Sequence, residues 1–534
     1  MSSWDADLYM RFGNVLFPFR RLFVVAYTSS GQPDVPLSLL FWALRHHLIT
    51  ITRMEMNDLV FASAGELAAA ILDRRVSAAE VLDAHLAQID RHNGHLNVFV
   101  TLNDEQARAR AAEADAALVR GQVWGPLHGV PIAVKDAIAT ADLRTTSGFP
   151  PWADYVPRTD APAVARLRAA GAVLLGKTNL PPLSMDVQVD NPIFGRTNNP
   201  WDLSRTCGGS TGGAAAVAAG LAPLELGTDI AGSVRIPAHC CGVYGLKPSD
   251  YRISTSGFHP NPAPELPETG GPAVLGVFGP LARSVDDLAL AFQVMAGPDP
   301  RHWTVPPVPV GPMAELRPEQ LRLAWTDDFG GVPVSADTGA SLEHLAKDLE
   351  RHGCHVERCV PESLDFEAIW ETWGELAAVV LGFNPDMAAG LGARPGSPVP
   401  TSRGLAKGLQ MTLREYLSCL RKRSVLIATL EAFFERWDAL ICPVMSVPAF
   451  PHCAKDTPIL VDSRSVDYWT ATIAHACPFN LSGHPVVVLP MGSSREGLPI
   501  GAQVVGPRWG EMHLLGVANQ LAEVIGPFRR PPGY

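Results

Sequence analysis

Lysine is the scarce residue of this 534-residue chain. Of its 43 basic residues only seven are lysine, at Lys135, Lys177, Lys247, Lys347, Lys407, Lys422 and Lys455, and the rest are arginine. Cysteine is sparse as well. Nine cysteines, an odd number without a CxxC pair, exclude the dense disulfide framework of small secreted proteins and point to reduced thiols in a cytoplasmic-type compartment. There is no HExxH, and the histidines are scattered, so no metal site is read. Positive charge is not in excess: 54 acidic residues against 43 basic ones give a net charge of −11, which excludes a global basic surface for nucleic acid. What the chain does have is 47% hydrophobic and 18% charged residues, the make-up of a globular protein with a sizeable core, which excludes disorder and collagen.

The first 53 residues stand apart. Trp4, Tyr9, Phe12, Phe17, Phe19, Phe23, Tyr27, Phe41 and Trp42 crowd into a tenth of the length. The apolar runs there, LFVVAY at 22–27 and VPLSLLFWAL at 35–44, are too short to span a bilayer, which takes about 20 apolar residues. Three readings remain for this extension: an interfacial anchor, an ordered appendage, or a segment ahead of a true start at Met54 or Met56. The last is favoured, because MNDLVFASAGEL reads as a natural beginning. The division expected is an extension over 1–55 and one domain over 56–534.

From Ser63 the local signals are clear. Ser63-Ala-Gly-Glu66 and Ser77-Ala-Ala-Glu80 are capping boxes, each opening a helix, and an alanine-rich helix is expected from about Asn103 to Arg120. GPLHGVPIAVKD reads as a buried strand that delivers Lys135 at its end. A helix opens at Asp160-Ala-Pro162, Gly171 closes it, and AVLLG is a further strand. Proline-rich 301–320 and the stretch 386–403 read as connectors. Alternating helix and strand predicts an α/β sheet.

Two familiar patterns mislead. Gly171 to Thr178 satisfies the P-loop formula GxxxxGK[ST], but the intervening residues are strand-like, and Pro181 and Pro182 oppose the helix that must follow. Gly208 to Gly212 satisfies GxSxG, yet a polar loop precedes it where a nucleophile elbow needs a hydrophobic strand. Two serines in glycine-rich turns still carry chemistry. Ser210 leads into an alanine helix, and Ser233 follows a small-residue turn whose amides can converge on an anion. With Lys135 at the end of a buried strand, they offer two hydroxyls and an amine whose proton affinity burial lowers. A neutral lysine can act as general base for a serine that otherwise ionises too weakly.

At these residues the sequence resembles the amidase signature family. The resemblance is carried by HGVPIAVKD, ARLRAAGAVLLGKTN, FGRTNNPWDLSRT, GGSTGG, LELGTDIAGSVRIPA, CGVYGLKPS, GPLARSVDDLALAFQVMAG and FNLSGHPVVVLPMG, from about residue 57 to 525, with the signature region at about 125–250. It implies a single large α/β domain with a mixed central β-sheet flanked by helices. It also implies a Ser–cis-Ser–Lys triad: Ser233 as nucleophile, Ser210 as bridging serine after a cis peptide, and Lys135 as base. Backbone amides of Ile230, Ala231, Gly232 and Ser233 would form the oxyanion hole, with Asp229 and Arg235 as supports. Lys177 and Lys247 match too, as partly buried structural lysines.

The implied activity is cleavage of a small-molecule amide to acid and amine or ammonia, through an acyl-enzyme and without metal or organic cofactor. The setting expected is cytoplasmic, with no nucleic-acid partner and no transmembrane span, and a homodimer stays open. Two alternatives stand beside it: a glutamine-dependent amidotransferase A-type subunit that works with partner subunits on charged tRNA, and a catalytically silent member. The sequence departs from the family pattern at Ala231, where glycine is usual, at Thr211, Cys207 and Pro182, and in a Ser210 to Ser233 interval one residue short. A left-handed backbone at Ala231 would strain the oxyanion turn. Pocket walls are expected from about 365–470, including Trp370, Trp373 and Trp469.

Overall fold

The computed structural model describes residues 8–12, 15–19, 56–259, 274–382, 388, 391 and 393–534. The chain divides into two units, Met1–Arg53 and Met54–Tyr534. In the first, Leu8–Phe12 and Val15–Phe19 pair as an antiparallel hairpin. The apolar runs at 22–27 and 35–44 and the proposed start at Met54 lie outside the described residues.

The second unit is built on one mixed sheet of eleven strands. Its order is His355–Arg358, Arg322–Trp325, Ala439–Pro443, Pro499–Val505, Val486–Ser493, Tyr244–Lys247, Val277–Ala282, Leu224–Asp229, Pro131–Lys135, Val173–Thr178 and Phe99–Leu102. Four of these pairings are parallel, two toward each end of the order, and the antiparallel pairs in the middle join the two parallel parts. The expected single α/β domain with a mixed sheet and flanking helices is the architecture found.

Local grammar accounts for much of it. Both capping boxes form, Ser63 with Glu66 and Ser77 with Glu80, each hydroxyl and carboxylate satisfying the other's backbone amide. The alanine-rich helix runs Asp104–Val119. Gly171, at φ 99°, ends the turn after the Pro162–Ala169 helix. The P-loop look-alike is the Val173–Thr178 strand. A side chain at Gly176 would lie 2.2 Å from the Thr101 carbonyl, so glycine is there to let the neighbouring strand approach, not to wrap a phosphate.

The stretch 386–403 is not all connector, since a helix begins inside it, Pro400–Gly408. Gly404 and Gly408 let this helix press onto Phe366–Leu381, with Cβ positions 2.1 and 2.2 Å from the carbonyls of Glu371 and Glu375. No described helix is long and apolar enough to cross a membrane.

Candidate active site

Lys135 ends a strand held between two parallel neighbours, Leu224–Asp229 and Val173–Thr178, and its side chain is wholly buried. Its Nζ donates to Ser210 Oγ at 2.7 Å and to Thr228 Oγ1 at 2.8 Å. Burial lowers its pKa to about 7, against the opposing pull of the Glu225 and Asp229 carboxylates. Glu225 is the mirror case: burial raises it to about 7, although its Oε1 accepts bonds from Thr178 Oγ1 and Thr211 Oγ1 at 2.5 and 2.8 Å. Burial therefore drives both members of this pair toward neutrality.

Ser210 reaches Lys135 because Gly208 and Gly209 both take left-handed backbone, at φ 80° and 58°, which reverses the chain. Side chains there would meet Cys240 Sγ at 2.6 Å and Pro237 Cδ at 2.4 Å. This double turn does the work with a trans peptide: no described peptide bond is cis, which corrects the cis bond expected before Ser210.

Ser233 lies between the Leu224–Asp229 strand and the Arg235–Cys241 helix, in a turn organised by Asp229. The Asp229 carboxylate accepts from the Gly232 and Val234 amides at 2.9 and 3.1 Å, from Arg235 Nε and Nη2 at 3.0 and 2.9 Å, and from Asn480 Nδ2 at 2.8 Å. Arg235 directs its remaining donors to Ala476 O, Gln503 Oε1 and Asn480 Oδ1, so this fully buried guanidinium is satisfied throughout. Burial opposes ionisation of Asp229, but the charge and hydrogen bonds of Arg235, with Asn480 and Lys247, hold its pKa far below the usual carboxylate range. Asp229 and Arg235 thus sit where supports of the turn were expected.

The Ala231 departure finds its explanation in the same turn. The left-handed residue is Gly232, at φ 107°, and Ala231 is not among the positive-φ positions, so its methyl carries no backbone strain. Of the four amides expected to face an oxyanion, that of Gly232 is taken by Asp229. Those of Ile230, Ala231 and Ser233 donate to no described residue, and neither does the Ser233 hydroxyl.

Ser210, Thr228 and Ser233 share one cavity of about 850 Å³, open mouth included. Trp373 and Trp469 line it as expected, and Trp373 Nε1 also holds the Ile230 carbonyl at 3.1 Å. Trp370 does not line it, a correction: its Nε1 donates to Ala474 O at 2.8 Å and its ring packs on Phe366 in the core behind the wall. Sequence reasoning missed Thr228, Glu225 and the segment Leu183–Val187, which lines the cavity and includes Asp186. The signal for Glu225 was present, as an acid between two leucines.

Lys177 and Lys247 are as buried as Lys135, and burial lowers both to about 7. Lys177 donates to Ile138 O and Thr140 Oγ1, Lys247 to Pro248 O at 2.9 Å, and neither reaches the cavity. They were expected to be partly buried, and the structure corrects this: both are wholly buried.

The family model described as Amidase matches residues 80–515. The chain is 35% identical to the indoleacetamide hydrolase of Bradyrhizobium diazoefficiens, over 87% of this chain and 86% of that protein. It is 32% identical to the A-type subunit of the glutamyl-tRNA(Gln) amidotransferase of Geobacillus stearothermophilus, over 88% and 98%. The solved structure of 6-aminohexanoate cyclic dimer hydrolase complexed with substrate superposes with a TM-score of 0.72 at 30% identity, covering 89% of this chain and 99% of that one. With its eleven-stranded mixed sheet, the family model over residues 80–515 and these relatives, the chain is an enzyme of the amidase family, the amidase signature group.

Proposed function

We propose that this protein hydrolyses a small carboxylic acid amide through an acyl-enzyme on Ser233. The observation that carries the reading is the buried Lys135–Ser210 hydrogen bond, 2.7 Å, beneath a cavity that also receives Ser233. In the relay, neutral Lys135 takes the Ser210 proton and Ser210 takes that of Ser233 as the Ser233 oxygen bonds to the amide carbon. The carbonyl electrons move onto oxygen, toward the amides of Ile230, Ala231 and Ser233, each such donor typically worth about 3 kcal/mol. As the tetrahedral centre collapses, the C–N bond breaks and the departing nitrogen takes a proton back through Ser210. Water then adds to the ester, giving its proton to the relay, and the acid leaves while Ser233 regains its hydrogen.

Asp229 and Arg235 serve this chemistry by fixing the turn, not by moving protons. A cytoplasmic setting and action as a free enzyme complete the reading. The resemblance to amidotransferase subunits keeps the second reading, release of ammonia from glutamine with partner subunits. Glutamine brings an α-carboxylate, and no residue on the described cavity wall is a cation to receive it, which favours the free amidase.

Serine-directed labelling with a fluorophosphonate is the test. One adduct on Ser233, absent in Ser233→Ala, together with turnover of simple amides by the purified chain alone, is the expected result. A folded protein that takes no label at Ser233 would refute the triad, and strict dependence on an added partner would shift the assignment to the amidotransferase reading.

A further inference from the structure

The cavity wall is made of apolar side chains, hydroxyls and one carboxylate. Among the described lining residues, which include Trp373 and Trp469, Asp186 is the only one with an acidic or basic side chain. It is held by a directed network. Gln188 Oε1 accepts from the Cys453 amide at 3.0 Å, which fixes the orientation of the side-chain amide. Gln188 Nε2 then donates to Cys453 O at 2.9 Å and to the Tyr468 hydroxyl at 3.2 Å. With its oxygen so engaged, buried Tyr468 turns its proton to Asp186 Oδ1 at 2.5 Å, where the Val187 amide also donates at 2.7 Å.

Both of these bonds fall on Oδ1, the Gln188 backbone amide also bonds the carboxylate, and no described side chain other than Tyr468 donates to it. Burial raises the Asp186 pKa, partly offset by Tyr468, by the Val187 amide and by the charge of Lys455, which itself donates to Met185 O at 3.0 Å and lies over Trp469. A donor-free substrate would strip the remaining water from this carboxylate without replacing its hydrogen bonds, at a cost. A substrate with an N–H aimed at it would replace them with a charge-assisted bond.

We propose that Asp186 is a specificity-determining residue of this enzyme: it selects amides that carry, on an aromatic or other apolar body, an N–H donor distinct from the scissile amide, and it rejects amides bearing a second negative charge. The aromatic faces of Trp373 and Trp469 receive the body, Tyr468 orients the acceptor, and the donor is either an ammonium or a neutral ring N–H. This inference rests on the cavity being the substrate site of the proposed amidase.

Binding to the Ser233→Ala protein tests it without turnover. Calorimetry compares para-(aminomethyl)phenylacetamide with para-ethylphenylacetamide for the cationic donor, indole-3-acetamide with benzothiophene-3-acetamide for the neutral one, and para-carboxyphenylacetamide for the anion. At least one N–H compound should bind about tenfold more tightly than its donor-free isostere, and the carboxylate most weakly. In Ser233→Ala/Asp186→Asn, whose amide oxygen can still accept from Tyr468, the ammonium preference should fall to within about twofold and the carboxylate should gain. Tyr468→Phe should weaken the preference without abolishing it. Equal binding of both pairs, or a preference that survives Asp186→Asn, overturns the proposal. Labelling of Ser233 in the wild-type chain is read separately, so failure of the specificity assignment leaves the nucleophile assignment standing, and the reverse.

Discussion

Acylation of Ser233 should titrate with Lys135. On the proposed relay only the neutral amine can accept the Ser210 proton, and burial brings that amine to about 7. The neutral fraction then falls tenfold per pH unit on the acid side, so at pH 5 the acylation rate should be about one-hundredth of its plateau. A solvated lysine near pH 10.4 would be only about 0.1% neutral at pH 7.5, against roughly three quarters here, so burial contributes several hundred-fold. Other groups face the amine. Asp229, held ionised by Arg235, and His259, lowered to about 3 by burial and by Lys135, do not titrate in this window. Glu225 does, at about 7, so a midpoint alone does not identify the base.

Glu225→Gln separates the two. The carboxylate raises the proton affinity of Lys135, so removing its charge should move the acid limb to lower pH; a limb that belonged to Glu225 itself would disappear. The assay is the pseudo-first-order rate of fluorophosphonate labelling between pH 5 and 9, where no leaving amine is protonated, with near-ultraviolet circular dichroism to confirm the fold. A rate flat across that range, or a limb unmoved in Glu225→Gln, would refute the reasoning.

Two further substitutions probe the frame around the serines. Asp229→Ala removes the acceptor of two turn amides and leaves Arg235 buried without its counter-charge, so urea unfolding should show a loss of about 3–5 kcal/mol, and Asp229→Asn a smaller one. Gly213→Ala would place its methyl 1.1 Å from Glu225 Oε2. Little folded protein is expected by gel filtration, with recovery in Gly213→Ala/Glu225→Ala; normal yield of the single variant would contradict the packing.

The legible parts of this molecule were those governed by short-range rules. Ser63 and Ser77 announce their helices because the cap and its partner lie three residues apart, and Lys135 could be placed at a strand end because PIAVK is apolar between Gly/Pro punctuation. The family resemblance then brought Lys135, Ser210 and Ser233 together, which no local pattern does. Relations across the sheet were not legible. Thr228 meets Lys135 only because two strands run parallel, and Glu225 meets Thr211 only because Gly213 leaves room. Trp370 and Trp373 lie nearly one helical turn apart and look equivalent in sequence, yet one faces Ala474 in the core and the other Ile230 at the cavity.

The scarcity of lysine takes its meaning from this three-dimensional context. Lys135, Lys177 and Lys247 are equally buried and burial lowers each to about 7, so neither burial nor proton affinity singles out a base. The partners of the amine do. Lys247 donates to a carbonyl, which has no proton to return, and Lys177 to a carbonyl and to a threonine hydroxyl that itself donates to that same carbonyl, Ile138 O. Both of the Lys135 partners are hydroxyls, and both of these line the cavity. A neutral amine beside a carbonyl has no proton to accept from it, whereas one beside a hydroxyl that lines the Ser233 cavity has a route to the reacting atom. Arginine, always protonated, fits none of these buried neutral sites. Three of the seven lysines occupy such buried sites, and among these only at Lys135 does the path of exchangeable protons lead to the cavity.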